Sequence, residues 1–459
     1  EGLNNAGASG EPLIVILNDN GMSIDRNVGA MSEHLSRLRT KPEYFAFKKA
    51  YHNALSGTAA GRALYRFNHS LKTGLKKAML PNATMFEDMG FAYLGPVDGH
   101  DLAQLTTTLE WAREMKRPVL VHVRTQKGHG YAPAEREPWK FHGVGPFAPE
   151  TGVVAPSGES FSSVFGAALT ELAEEDPRVC AITAAMEDGT GLTPFAGRFP
   201  DRFFDVGIAE GHAAAGLAKQ GALPVFAVYS SFLQRAYDQL LHDVALSGLH
   251  VVFAVDRAGL VGADGATHHG VMDTVFLSGI PNMTVLCPAS FAELRAMLRR
   301  ALFEMTGPVA IRYPRGGEGA FTADTSAGDF AELRTGKDIT LCAYGTLINN
   351  VLGAAELLHE DGIEARVVKL NRISPFRGGE LSRIFGTTKR LLVAEECSGV
   401  GCIGQRIAAI LAEEGHEPQR LMLCNLGRRF IEQGSVGELY RQCGLDAESL
   451  ARTAKEVCQ

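Results

Sequence analysis

The sequence predicts an α/β protein of three domains, each a mostly parallel sheet flanked by helices, with the first domain truncated. Three observations carry that prediction. The chain has 459 residues, more than one hydrophobic core organises and a length suited to about three domains. Short apolar runs alternate with amphipathic stretches of helical period, the rhythm of a doubly wound sheet. The earliest run, residues 12–17 (Pro-Leu-Ile-Val-Ile-Leu), is continuously apolar, as a strand covered on both faces reads.

In order along the chain, residues 1–6 read as the tail of a helix and 12–17 as a strand. Residues 25–85 are mainly helical and polar. Residues 93–100, Tyr-Leu-Gly-Pro-Val-Asp-Gly-His, read as a Gly/Pro turn, followed by an amphipathic helix over 101–115 with Asp101 as its N-cap. A strand over 118–123 and a glycine-rich loop, Lys127-Gly-His-Gly-Tyr131, lead into a Pro-rich linker that ends near residue 157. Two clear strands are few for a parallel sheet. The first domain, 1–157, is therefore read as the remainder of a longer one whose first strands are missing. A second domain, 158–319, has strands expected at 179–183, 203–206, 224–228, 251–255, 284–287 and 309–313. Helices are expected there at 161–175, 211–220, 232–246 and 291–304. A third, 335–459, has strands at 339–343, 364–368, 390–394 and 420–424. The third domain shows no cluster of titratable residues and reads as a packing or dimer-supporting unit.

Composition narrows the functional classes. Apolar content of 45% and charged content of 21% are those of a soluble globular protein. A net charge of −7 with scattered Lys and Arg gives no basic patch for nucleic acid. No apolar run approaches the about 18 residues of a membrane span, and residues 1–10 do not read as a signal peptide. The eight cysteines form no C-x-x-C pair and read as reduced thiols of a cytoplasmic protein.

Four segments fall just after expected strands: Glu210 in Val206-Gly-Ile-Ala-Glu-Gly-His212, the run from Tyr229 to Arg235, the loop 256–270, and Arg315. Ligands of doubly wound sheets bind beyond the carboxyl ends of the strands, and the shared placement argues for a site. Each residue alone has a plainer reading. Glu210 reads as a strand-end carboxylate, Phe232 as core packing, Arg257 and Arg315 as ion-pair partners, and Asn18-Asp19-Asn20 as a strand-to-loop turn.

The order and spacing of several motifs resemble the 1-deoxy-D-xylulose-5-phosphate synthases, thiamine-diphosphate enzymes of the transketolase group. They are Asn18-Asp-Asn-Gly-Met-Ser-Ile24, Gly95-Pro-Val-Asp-Gly-His100, Phe141-His142, Asp205-Val-Gly-Ile-Ala-Glu210, the run from Tyr229 to Gln239, Asp256-Arg-Ala-Gly-Leu-Val-Gly-Ala-Asp-Gly265, Tyr313-Pro-Arg-Gly316 and Phe430-Ile-Glu-Gln-Gly434. The resemblance implies a transketolase-like fold, thiamine diphosphate and Mg²⁺ as cofactors, and pyruvate and glyceraldehyde 3-phosphate as substrates. It also implies a homodimer. Glu210 would hydrogen-bond the cofactor's aminopyrimidine and promote loss of the thiazolium proton. Phe232 would stack on the pyrimidine, with Tyr229 and Arg235 beside it. Asn20, by its side chain, and Met22, by its carbonyl, would hold the metal, and Lys127 would reach the phosphates. His142, His268 and Asp264 would line the cavity toward the acceptor, the histidines moving protons. Arg257 and Arg315 would bind the acceptor phosphate.

The chain departs from the family pattern at Gly211, where Gln or Glu is usual, at His269, where Gln is common, and at His129, often Arg. The Gly-Asp-Gly metal motif is absent. From that absence these 459 residues alone are expected to bind cofactor poorly and turn over little. A transketolase or 2-oxo-acid dehydrogenase component, or a non-catalytic remnant, is the alternative.

Overall fold

Three parallel strands in the first part of the chain, and two larger sheets in the rest, grow out of its apolar runs. The computed structural model describes residues 2–22, 30, 35, 85–142, 144, 147–152, 158–207 and 213–459. The chain divides into two compact units, Glu1–Ala155 and Pro156–Gln459.

In the first unit, strands β1 (Ile14–Asp19), β2 (Ala92–Asp98) and β3 (Val119–Arg124) lie in the order β1-β3-β2, all parallel. Residues 119–123 of central β3 are all buried, which explains why four of the five are apolar; the fifth, His122, is bonded to Tyr93 and Asp19. On edge strand β1, Ile16 is 54% exposed. The helix Leu102–Glu114 begins where the Asp101 carboxylate accepts the Gln104 N–H at 3.0 Å, the cap the sequence indicates. The expected turn over 93–100 is instead mostly strand β2. Tyr93, Leu94 and Val97 are buried in it, and its pairing with β3 shifts register only between Leu94 and Val97, around Gly95-Pro96. Proline brings no N–H to a ladder, and a Cβ on Gly95 would lie 2.5 Å from the His122 carbonyl. The Gly-Pro pair therefore marks an irregularity in a strand where the backbone passes flush against its neighbour. Apart from residues 30, 35 and 85, the helical reading of 25–85 lies outside the described residues.

In the second unit come β4 (Val179–Thr183), β5 (Phe203–Asp205), β6 (Leu223–Tyr229), β7 (Val252–Asp256), β8 (Thr284–Leu286) and β9 (Val309–Arg312). They are followed by β10 (Phe330–Arg334), β11 (Ile339–Tyr344), β12 (Ala365–Leu370), β13 (Arg372–Ser374), β14 (Arg390–Ala394) and β15 (Arg420–Cys424). The seven-stranded sheet has the order β13-β8-β9-β7-β6-β4-β5 and the five-stranded sheet β10-β12-β11-β14-β15. Among the described strands only β10 with β12 and β13 with β8 pair antiparallel. Residues 313–329 between β9 and β10 hold no helix or strand. β13 crosses back to the edge of the earlier sheet, so the two sheets share chain. The helix Phe161–Glu175, opened by a Ser160/Ser163 capping box, packs with the helix Phe291–Phe303 over a core that includes Phe165, Leu169, Met297, Ala254 and Ile311. The single helix expected over 232–246 is segmented. Ser230–Leu233 and Tyr237–Gln239 are α-helical, Gln234–Ala236 is 3₁₀ and Leu240–Ala245 is π. Apolar period alone does not distinguish hydrogen bonds that span three, four or five residues. No helix among the described residues is long and apolar enough to cross a membrane.

Candidate active site

β6, β7 and β9 lie side by side, with Tyr229 opposite Asp256 and Val255 opposite Arg312. Residues that follow these strands therefore gather at one edge of the sheet, its carboxyl edge. The Tyr229 and Phe232 rings stack at 5.7 Å, and the His268 ring meets Phe232 edge-on at 5.4 Å. The guanidinium of Arg235 lies 5.0 Å from the Phe232 ring centre, and that of Arg257 lies 3.8 Å from the Tyr229 ring centre, within cation–π range. Arg315 donates to Asp264 Oδ2 at 2.6 Å and to the Val261 carbonyl at 3.3 Å. Arg257 Nη1 lies 3.9 Å from the same Asp264 oxygen. Seven of the residues singled out in the sequence are thus one connected cluster in the second unit.

The electrostatics of the cluster follow from burial. Burial pushes the Tyr229 phenol up to about 12, against the opposing pull of Arg257, so it stays a hydroxyl. Burial also lowers His268, with Asp264 working the other way, which favours a neutral imidazole. The Thr267 hydroxyl lies 2.9 Å from His268 Nδ1. Arg257 has φ +59, a left-handed conformation that costs a non-glycine residue on the order of 1 kcal/mol. Its Nε is buried and has no hydrogen-bond partner among the described residues.

Asp256 was not singled out from the sequence, and it is the most perturbed carboxylate here. It is fully buried, and its Oδ2 accepts from the Ser162 hydroxyl at 2.7 Å. Burial pushes its pKa up to about 6, with Arg257 as the largest opposing influence. A folded-state pKa above the unfolded value means that the folded protein binds the extra proton between about pH 4 and 6. This group's contribution to stability therefore falls as pH rises through that window. Asp256→Asn is expected to remove that part of the slope, a difference of about 2–3 kcal/mol at most between pH 4 and pH 7. Parallel denaturant titrations of the two proteins check it.

The first unit holds the other predicted residues. Lys127 Nζ donates to His142 Nδ1 at 2.9 Å, which leaves the proton of a neutral imidazole on Nε2. Asn20 Oδ1 accepts the Met22 N–H at 2.9 Å, closing a short turn after β1. That turn is anchored from beneath: the Thr125 hydroxyl donates to Asn18 Oδ1 at 2.6 Å. His122 Nε2 lies 2.9 Å from Asp19 Oδ2, and the Tyr93 hydroxyl 2.7 Å from His122 Nδ1. Among the described residues no three His, Cys, Asp or Glu side chains gather as metal ligands. Asn20 and the Met22 carbonyl are oxygen donors of the kind a hard cation takes. Glu210 and its neighbours, residues 208–212, lie outside the described residues. The strand before them ends at Asp205, whose Oδ1 accepts the N–H groups of Ala185 and Gly207 at 2.9 and 2.8 Å.

Three family profiles match the chain: 1-deoxy-D-xylulose-5-phosphate synthase over residues 1–125, the transketolase pyrimidine binding domain over 158–317, and the transketolase C-terminal domain over 328–450. A 1-deoxy-D-xylulose-5-phosphate synthase of Desulforudis audaxviator (strain MP104C) is 48% identical over 465 residues, covering 99% of this chain and 73% of the relative. One of Desulfitobacterium hafniense (strain DSM 10664 / DCB-2) is 45% identical over 469 residues, covering 100% of this chain and 74% of the relative. Among solved structures, a split-gene transketolase described as an inactive β4 tetramer is 31% identical with a TM-score of 0.59. It covers 66% of this chain and 99% of its own. By sequence, by domain composition and by the mostly parallel, helix-flanked sheets just described, the chain belongs to the 1-deoxy-D-xylulose-5-phosphate synthase family of transketolase-like transferases.

Proposed function

We propose that the protein releases carbon dioxide from pyruvate and joins the remaining two-carbon unit to the aldehyde of glyceraldehyde 3-phosphate, giving 1-deoxy-D-xylulose 5-phosphate. The observation that carries the acceptor assignment is the meeting of Arg257 and Arg315 on a single carboxylate, Asp264, beside the Tyr229–Phe232–His268 plate. Two guanidiniums converge there, and the buried Arg257 Nε has a proton to give. A phosphate dianion matches both needs.

The family is thiamine-diphosphate dependent, and the residues present fit that cofactor. Phe232 offers a ring face for the pyrimidine, bordered by Tyr229 and Arg235. Glu210 is proposed as the carboxylate that bonds the aminopyrimidine. Asn20 and the Met22 carbonyl would hold Mg²⁺, with Lys127 near the phosphates. When bound, thiamine diphosphate supplies the electron sink for decarboxylation. The chain's own residues then bind and move protons. Arg257 and Arg315 hold the acceptor phosphate, and Asp264 draws the two guanidiniums together and aims them. His268, kept neutral by burial, exchanges a proton at the acceptor's carbonyl oxygen, and His142 is proposed as a second proton carrier. A homodimeric, cytoplasmic enzyme with domains 1–157, 158–319 and 335–459 completes the reading.

The test compares phosphorylated with unphosphorylated acceptor in the full-length protein loaded with Mg²⁺ and thiamine diphosphate. Arg315→Ala is expected to raise KM for glyceraldehyde 3-phosphate about 10- to 100-fold, as for loss of a charge-assisted hydrogen bond, and to leave KM for glyceraldehyde nearly unchanged. Equal losses with both acceptors would remove Arg315 from the phosphate site.

A further inference from the structure

The arm that carries the acceptor residues is an irregular loop, 257–270, with no helix or strand of its own. Its two ends are pinned to the seven-stranded sheet and to each other. The Ala258 N–H donates to the Tyr313 carbonyl at 3.0 Å, and Gly259 and Gly270 exchange N–H···O bonds at 2.7 and 2.8 Å. The middle of the arm is held by residues from the far end of the sequence. The Leu260 N–H donates to Glu396 Oε2 at 2.9 Å, and Glu396 Oε1 accepts from the Tyr440 hydroxyl at 2.6 Å. The next amide, Val261 N–H, donates to His269 Nδ1 at 3.1 Å, and His269 Nε2 donates to the Glu432 carbonyl at 3.2 Å. The imidazole thus has its acceptor nitrogen on the arm and its donor nitrogen on the C-terminal segment, a fixed tautomer. Glu396 and His269 are both buried, 8% and 6% exposed.

Packing repeats the message. A Cβ on Gly259 would lie 2.4 Å from Glu396 Oε2, one on Gly262 would lie 3.2 Å from the Gly434 carbonyl, and one on Gly265 would lie 3.3 Å from Gln433 Cβ. The glycines let the arm lie flush on residues 432–436. Val261 is held on both sides: its N–H donates to His269, while its carbonyl receives Arg315 at 3.3 Å. Three residues further on stands Asp264, the carboxylate Arg315 also engages.

We propose that His269 and Glu396 are positioning residues, through which the C-terminal part of the chain holds the 257–270 arm in its substrate-binding shape. Neither touches the acceptor; each acts by fixing successive amides, Leu260 and Val261, whose placement sets Arg315, Asp264 and His268. The inference rests on the acceptor site proposed above. It gives the C-terminal sheet a part in substrate binding, where the sequence suggested packing or dimer support alone.

The test is hydrogen–deuterium exchange over 258–266 in the full-length protein, with glyceraldehyde 3-phosphate binding measured by calorimetry on the same samples. Loss of one or two buried hydrogen bonds in His269→Leu is expected to speed exchange in this segment, and to weaken binding, about tenfold each. His269→Gln, whose amide both accepts and donates, is expected to return both readouts to near the native values. Unchanged exchange in His269→Leu, or His269→Gln as impaired as His269→Leu, overturns the proposal. If His269→Leu does not fold, Tyr440→Phe decides. It removes only the hydroxyl that steadies Glu396, so faster exchange over 258–266 supports the latch and native exchange overturns it. A native protein that binds no glyceraldehyde 3-phosphate, while exchange still responds to His269→Leu, sinks the acceptor-site reading and leaves the mechanical coupling standing.

Discussion

Glu210→Ala is expected to lower kcat for 1-deoxy-D-xylulose 5-phosphate formation by about 10²- to 10⁴-fold, the range for removing a group from proton-transfer catalysis. KM for glyceraldehyde 3-phosphate is expected to change less than about threefold, because uniform binding of the acceptor lies elsewhere. The split follows from the division of labour in the site. In the proposed site the acceptor's charge is assigned to Arg257 and Arg315, which meet on Asp264. Glu210 follows β5 by five positions and is the carboxylate proposed to bond the cofactor's aminopyrimidine. Steady-state kinetics with saturating thiamine diphosphate and Mg²⁺ separate the two constants. A variant that kept native kcat and lost acceptor affinity would place Glu210 at the acceptor end and undo its assignment to the pyrimidine.

How much of this was legible in the sequence depends on where each signal lies along the chain. Most strands of the two large sheets were readable because a parallel strand covered on both faces leaves a continuous apolar run; all five residues of β7 are buried, and so are all five of β4. β10, an antiparallel edge strand with no buried residue, leaves no such run and was missed. β2 was lost because Gly95-Pro96 looks like a turn unless the neighbouring His122 backbone is in view. β13 is only three residues long and joins a sheet built mostly from residues over sixty positions earlier, so no local pattern announces it. The cluster at the carboxyl edge was legible because its members each follow a strand. Asp256 ends one, but its hydroxyl partner Ser162 lies 94 positions away, and a strand-end carboxylate otherwise looks like surface. The grip of Glu396 on the Leu260 amide, across 136 positions, lay equally out of reach. His269 stood out only as a departure from the family's glutamine. An amide and an imidazole can each accept on one side and donate on the other, which is the property this position uses.

Removal of Asp273 is expected to be strongly damaging to the second unit. Arg312 ends β9, three residues before Arg315, and donates from Nε to Asp273 Oδ2 at 2.9 Å and from Nη2 to Oδ1 at 3.3 Å. The two side chains are 5% and 0% exposed. The Arg312 guanidinium also lies 5.4 Å from the Tyr344 ring centre, and the Tyr344 hydroxyl donates to Glu395 Oε2 at 3.0 Å. Glu395 in turn accepts the N–H groups of Ile403 and Gly404 at 3.0 and 2.9 Å. Asp273→Ala leaves a buried guanidinium without its counter-charge, a change that costs about 3–5 kcal/mol. Most of that figure is the penalty of the stranded charge, not the net worth of the pair. In a cycle of Asp273→Leu, Arg312→Met and the double variant, the double variant should therefore recover the greater part of the Asp273→Leu loss, and the coupling between the two sites should exceed that recovered part. Denaturant unfolding of the four proteins of the cycle measures it. A single-variant cost below about 1 kcal/mol, the scale of an exposed ion pair, would mean that water reaches Arg312. The end of β9, and the arginine it presents three residues later, would then be held by backbone pairing alone.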